Sequence, residues 1–178
     1  MVKVVKNFLS SDLARFCMLM LDNECQIQNR VGNYASYYHN VKESQYKYDF
    51  FAPAFAEMLL RKKRNHVKNV VKKELYPVRS YARLYLKGDN LIKHTDKNIL
   101  EWSVSIHLGG DKWNIYFDDK PYLLMPGDAI IYNGNIPHYR KEFKSNGCYQ
   151  VFLHYSTDKK DMFEGREYYK MYGKQSDV

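Results

Sequence analysis

Residues 93–110 read KHTDKNILEWSVSIHLGG. His94 and Asp96 stand two apart, and from Glu101 apolar and polar residues alternate through Trp102, Val104 and Ile106 against Ser103, Ser105 and His107. That alternation is the signature of a strand with two unlike faces. Side chains two apart at a strand end point the same way, so an imidazole nitrogen and a carboxylate oxygen can meet at one point. A His-x-Asp pair alone is weak, because each residue can merely cap a turn. What surrounds it gives it weight.

Downstream of Tyr76 the whole chain keeps the period of two. The runs SYARLYL, EWSVSIHL, WNIYF, DAIIYN, PHYRKEF and CYQVFLHYS are separated by the turn signals KGDN, GGDK, MPGD, NGNIP and KSNG. Upstream, Ser10 or Ser11 can cap a first helix over about 11–22, with Asp12 in its first turn and Leu13, Phe16, Cys17 and Met20 at helical spacing. Pro53 opens a second helix over about 53–74, with Phe55, Met58, Leu59, Val67, Val70, Val71 and Leu75 on one face. Residues 23–50 read as a long loop with one short strand. Helices followed by many short strands predict a mainly β fold, a jelly-roll or barrel buttressed by two helices.

With 178 residues the chain fits one domain, with a helical part over about 1–75, a β core over about 76–157 and a short tail. Its 17 tyrosines and hydrophobic fraction of 45% exclude a disordered chain. The apolar run FCMLML at 16–21 is too short for a membrane span. Three cysteines without metal-ligand spacing, and no signal-like start, lead to the expectation of a cytoplasmic, reducing setting. The net charge of +8 is concentrated in Arg61, Lys62, Lys63, Arg64, Lys68, Lys72 and Lys73. No aromatic residue interleaves with them, so a solvated helix face is favoured over a nucleic-acid patch.

His138, in NGNIPHYRKEF, lies 42 residues beyond Asp96, room for about four strands to wrap and return. Two histidines and one carboxylate form the facial triad that binds non-haem Fe(II) with positions left open. Asp128 in the PGD turn reads as structural.

These residues resemble the 2-oxoglutarate/Fe(II)-dependent oxygenases of the prolyl 4-hydroxylase-like branch, small bacterial and phage-type members included. Tyr85, Gly88, His94, Asp96, the PGD turn at 126–128 and His138 carry the likeness. The resemblance implies a double-stranded β-helix with Fe(II) held by His94, Asp96 and His138. It further implies 2-oxoglutarate as co-substrate, O2 as oxidant, ascorbate as a supporting reductant, and succinate and CO2 as products. The hydroxylated substrate would be a peptide, protein or small molecule, with a prolyl or free amino-acid side chain first. Nucleic-acid demethylation is a second reading, disfavoured because CYQVFLHYS carries no arginine; a non-catalytic jelly-roll or cupin-like binding module is a third.

The chain departs from that family at one place. About ten residues after the distal histidine the family carries a Lys or Arg that grips the far carboxylate of 2-oxoglutarate; here the neighbourhood reads Gly147, Cys148, Tyr149, Gln150. Arg140, on the strand face of His138, is the first replacement, with His154, Gln150 and Arg83 as fallbacks; an exposed cation beside Lys141 is the plain alternative. Tyr85 either donates its hydroxyl to 2-oxoglutarate or fills the barrel. Ser103, Ser105 and His107 would wall the pocket, and Trp113 and Tyr116 would stand near it or in the core.

Overall fold

A computed structural model describes residues 1–31 and 45–163. The middle of the loop expected over 23–50, and most of the C-terminal tail, lie outside those residues. Within the described residues ten strands build two antiparallel sheets. They are β1 (Val2–Val5), β2 (Tyr48–Phe51), β3 (Tyr76–Leu86), β4 (Leu91–His94), β5 (Trp102–Gly110), β6 (Ile115–Phe117), β7 (Lys120–Tyr122), β8 (Ala129–Asn133), β9 (His138–Arg140) and β10 (Gly147–Ser156). The larger sheet runs β1-β8-β5-β10-β3-β2 and the smaller β4-β9-β6-β7. This is a jelly-roll, with three helices, α1 (Ser11–Val31), α2 (Ala54–Lys62) and α3 (Arg64–Val71), on the outer face of the larger sheet.

Strand alternation sorts the residues between the two faces. From β5, Trp102, Val104, Ile106 and Leu108 join the helix-side core with Ala14, Cys17, Leu21, Leu59, Leu60 and Val67. Ser103, Ser105 and His107 turn into the space between the sheets, and all three are buried. Strand β10 repeats the division, Val151, Leu153 and Tyr155 facing the helices while Gln150 and His154 face inward. Each large apolar side chain so buried contributes roughly 1.5–3 kcal/mol.

The helices depart from expectation in three ways. First, α1 continues to residue 31, and Ser10 is its cap, its hydroxyl accepting from the Leu13 N–H at 3.3 Å. Its buried stripe is Ala14, Cys17, Leu21 and Cys25, while Leu13 and Phe16 face solvent. The stripe is chosen by the sheet: Gly109 on β5 lacks a side chain where Met18 presses in, and Tyr149 on β10 donates to Asp22 at 2.8 Å. Second, the expected helix over 53–74 is two helices broken at Lys63. The Lys63 ammonium donates to the Phe8 carbonyl at 2.6 Å, and Arg64 Nε to that of Leu75 at 2.6 Å, so the junction is tied down by side chains rather than by proline or glycine. Left-handed Lys72 then ends α3. Phe55, Leu59, Val67, Val71 and Leu75 are buried as the spacing requires, but Met58 is exposed. Third, the helical part, expected to hold one short strand within 23–50, donates two, β2 at the end of that stretch and β1 ahead of α1. β1 pairs with β8 at one edge of the large sheet and β2 with β3 at the other.

The basic cluster is partly neutralised on the protein itself, because Arg64 and Lys68 both pair with Glu74. This suits a solvated helix face. Among the described residues no helix is long and apolar enough to cross a membrane. Cys17, Cys25 and Cys148 are buried free thiols.

The PGD turn is structural, as its residue types suggest. Asp128 accepts from the Lys6 ammonium (2.7 Å) and from the Asn7 and Met125 N–H groups (3.1 and 3.0 Å). Gly127 has φ +87°, and a Cβ there would lie 2.6 Å from the Leu9 carbonyl oxygen. Gly127→Ala therefore meets both backbone strain and a backbone wall. It is expected to cost about 1–3 kcal/mol, read as a lowered denaturation midpoint with an unchanged m-value.

Candidate metal centre

Strand β4 ends at His94, and β9 runs antiparallel beside it with His138 as the direct partner. The chain then turns outward, and Asp96 is carried on the loop rather than on the strand. Its N–H donates to the Gly134 carbonyl at 2.8 Å. Gly134 is required there by space: a Cβ would stand 2.2 Å from the Leu100 carbonyl oxygen and 3.0 Å from the Asp96 Cβ. Close approach of two loops thus brings the carboxylate to the histidine pair.

One ligand atom from each of His94, Asp96 and His138 lies within 4.8 Å of the others. Asp96 Oδ1 is 3.8 Å from His94 Nε2 and 3.9 Å from His138 Nε2. In both histidines Nδ1 lies against the backbone carbonyl two residues earlier, Ile92 at 2.8 Å and Ile136 at 3.0 Å. A carbonyl can only accept, so each Nδ1 carries the proton and each Nε2 presents a lone pair towards Asp96. Burial is the main influence on His138 and lowers its pKa, although Asp96 opposes the shift. The cluster is open on one side, where the His94 side chain is 40% exposed while that of His138 is 3%. Phe117 stacks on His138 with centroids 5.6 Å apart and shields its other side.

The remaining Asp96 oxygen is held from behind. Ser103 donates to Oδ2 at 2.5 Å, and Ser103 Oγ lies 2.9 Å from His154 Nδ1. Tyr132, whose hydroxyl is 3.3 Å from His138 Nε2, completes this side. Its inward direction on β8 follows from the alternation of DAIIYN, a signal the reading of that segment as a plain strand passed over.

Arg140 shares the inner face of β9 with His138 and is 2% exposed. It is not an exposed cation beside Lys141. Its guanidinium donates to the Trp113 carbonyl (2.9 Å) and, at longer range, to Gln150 Oε1 (3.3 Å) and Ser105 Oγ (3.4 Å), while Nε has no partner. All three acceptors are neutral, and among the described residues no carboxylate lies within ion-pair distance of it. Arg83, an inward arginine of β3, is already paired with Asp49 at 2.8 Å. Its Nη1 donates to the Tyr85 hydroxyl at 2.8 Å, so Tyr85 keeps its own proton to give. Gln150 bridges from Arg140 to His107, whereas His154 belongs with Ser103 and the His-Asp-His cluster.

Trp113 packs edge-on against Tyr85 and lies beneath Arg140; Tyr116 stacks instead on Tyr139. His107 turns inward with Ser103 and Ser105, as its strand parity predicts. Gln150 Nε2 donates to its Nδ1 at 2.9 Å, which places its proton on Nε2, a buried donor without a partner. Burial, with Arg140 adding to it, pushes the His107 pKa down to about 4. Between pH ~6.5 and ~4 the unfolded chain therefore binds a proton at this position that the folded one refuses. Stability is full above that window and falls as the pH drops through it, by about 1–3 kcal/mol from this residue. His107→Gln should flatten that part of the profile, measured by urea denaturation from pH 7 to pH 4.5.

No family model and no curated protein matches this chain. Solved structures do. A viral collagen prolyl hydroxylase from Paramecium bursaria Chlorella virus-1, in a 2-oxoglutarate complex, superposes with a TM-score of 0.66 at 12% identity, over 89% of this chain and 96% of that one. A Pseudomonas putida prolyl-4-hydroxylase gives 0.61 at 16%, over 88% and 92%. EctD from S. alaskensis, with 2-oxoglutarate and 5-hydroxyectoine, gives 0.66 at 14%, over 87% and 71%. At such identities it is the fold that is shared. The chain has the jelly-roll fold of the 2-oxoglutarate/Fe(II) oxygenases, with a His-Asp-His cluster between its sheets.

Proposed function

We propose that the protein is an Fe(II)- and 2-oxoglutarate-dependent dioxygenase that hydroxylates a C–H bond. One observation carries the reading: an open His-Asp-His cluster and a buried guanidinium that meets no carboxylate among the described residues share one strand face, at His138 and Arg140. The donor set fits. Two imidazole Nε2 atoms and one carboxylate oxygen suit Fe(II) and leave positions open, whereas structural zinc sites are closed and rich in cysteine. The co-substrate end fits as well, because an unpaired buried cation costs several kcal/mol that a carboxylate would offset.

His94, Asp96 and His138 would hold the metal, Arg140 the far carboxylate of 2-oxoglutarate, and Tyr85 would donate its free hydroxyl proton to the same molecule. When bound, Fe(II) with 2-oxoglutarate and O2 supplies the oxidising power for hydroxylation, the keto acid ending as succinate and CO2. The protein's own share is positional. The Ile92 and Ile136 carbonyls fix the two imidazoles, Phe117 and Trp113 keep water from His138 and Arg140, and the exposed edge of His94 leaves an approach for substrate. The substrate is a peptidyl or free amino-acid side chain, proline first, which the prolyl hydroxylases among the structural neighbours support. A nucleobase is less favoured, because β10 offers no arginine beside the site. The protein would act in the cytoplasm.

Anaerobic addition of Fe(II) and 2-oxoglutarate should give a visible charge-transfer band, and in air with ascorbate 2-oxoglutarate should be converted to succinate. His94→Ala should abolish both. Absence of bound iron, band and succinate from the wild-type protein would sink the reading. Arg140→Met separates the two halves of the site. Its metal affinity should stay within about twofold, while 2-oxoglutarate affinity, measured by calorimetry on the Mn(II)-loaded protein, should fall by ~2–5 kcal/mol.

A further inference from the structure

Three atoms of this interior form a chain that metal ligation alone does not require. Asp96 Oδ2 accepts from Ser103 Oγ at 2.5 Å, and Ser103 Oγ is 2.9 Å from His154 Nδ1. Ser103 has one hydroxyl proton, and an ionised carboxylate can only accept, so that proton goes to Asp96. The contact with His154 must then be made by the Nδ1–H of the imidazole donating to Ser103 Oγ. The tautomer is thereby assigned, and both donors point towards the metal-ligand cluster. Register supports the arrangement, since His154 on β10 and Ser103 on β5 are direct cross-strand partners. Both are buried, and burial pushes His154 down to about 4, so the ring is neutral.

We propose that Ser103 and His154 are positioning residues for the Asp96 carboxylate. By occupying Oδ2 they leave Oδ1 alone to face the two Nε2 atoms, which makes Asp96 a one-oxygen ligand. The two histidine ligands are each oriented by a backbone carbonyl, and the carboxylate by this side-chain relay. Without it the carboxylate can rotate and offer both oxygens to the ion, taking one of the open positions. The inference rests on the proposal that His94, Asp96 and His138 bind a metal.

Co(II) is the probe, its affinity and visible spectrum reporting the number and kind of ligands without any turnover. Ser103→Ala and His154→Leu should each weaken Co(II) binding about 10–100-fold and change the intensity of the visible bands. His154→Asn, whose short amide can place an N–H near the position of Nδ1, should restore affinity and spectrum towards wild type. Circular dichroism and thermal melts of the apo-proteins check folding. If Ser103→Ala does not fold, Ser103→Cys keeps the volume with a poor donor and should show the same loss. Wild-type affinity and spectrum in the Ser103 variant overturn the relay, as does an Asn variant no better than Leu, since ring bulk would then be what matters. If wild type and His94→Ala bind Co(II) equally, the metal centre itself is wrong and the relay falls with it.

Discussion

Antiparallel pairing of β4 with β9 sets His94 directly against His138, and most of the interior can be understood from that register. It fixes two imidazoles with their rings 4.4 Å apart. It also fixes, two residues along β9 on the same face, where the guanidinium of Arg140 must go. A slip by one residue would turn His138 and Arg140 outward and Tyr139 inward. The third member of the cluster comes from outside the ladder, through the loop contact between Asp96 and Gly134, so the site depends on a strand register and on one close backbone approach.

The space between the sheets is polar beyond what an ordinary core tolerates. Ser103, Ser105, His107, Gln150, His154, Arg140 and Arg83 all point into it. Such groups are costly unless satisfied, and the pattern of satisfaction is uneven. Arg83 has Asp49 and Tyr85; His154 has Ser103; Asp96 has Ser103. Among the described residues Arg140 Nε, His107 Nε2 and Arg83 Nε have no partner. Two of these donors lie at the Arg140–Gln150–His107 end, and the lone pairs lie at the His94–Asp96–His138 end. That polarity, donors at one end and metal-type ligands at the other, matches a molecule with a carboxylate at one end and a chelating group at the other.

Strands were legible in the sequence because a period of two survives over six runs, and the inward parity of Ser103, Ser105 and His107 follows from it directly. Helix limits were less legible. Nothing in FAEMLLRKKRNHV marks a break at Lys63, since the junction is held by carbonyls of Phe8 and Leu75, far along the chain. The buried face of α1 is hidden in the sequence for the same reason: Leu13 and Phe16 have helical spacing with Cys17 and Met20, yet the sheet accepts Ala14, Cys17, Leu21 and Cys25. Short β1, VKVV, offers too few alternations to be distinguished, and its partner β8 lies more than 120 residues away.

By itself the sequence determined the strand parity, the order His94, Asp96, His138, and the residue types that suit a non-haem metal, since these are local properties of spacing and chemistry. Only the tertiary structure decided that Arg83 has a counter-ion and that Arg140, among the described residues, has none. Arg83 and Arg140 both sit at inward positions of strands, and composition cannot tell them apart. Asp49 reaches Arg83 because β2 pairs with β3 across 34 residues of chain, and no described carboxylate reaches Arg140. Charge pairing in a buried interior is settled by which distant segments meet, and one sequence read along its length does not contain that distance.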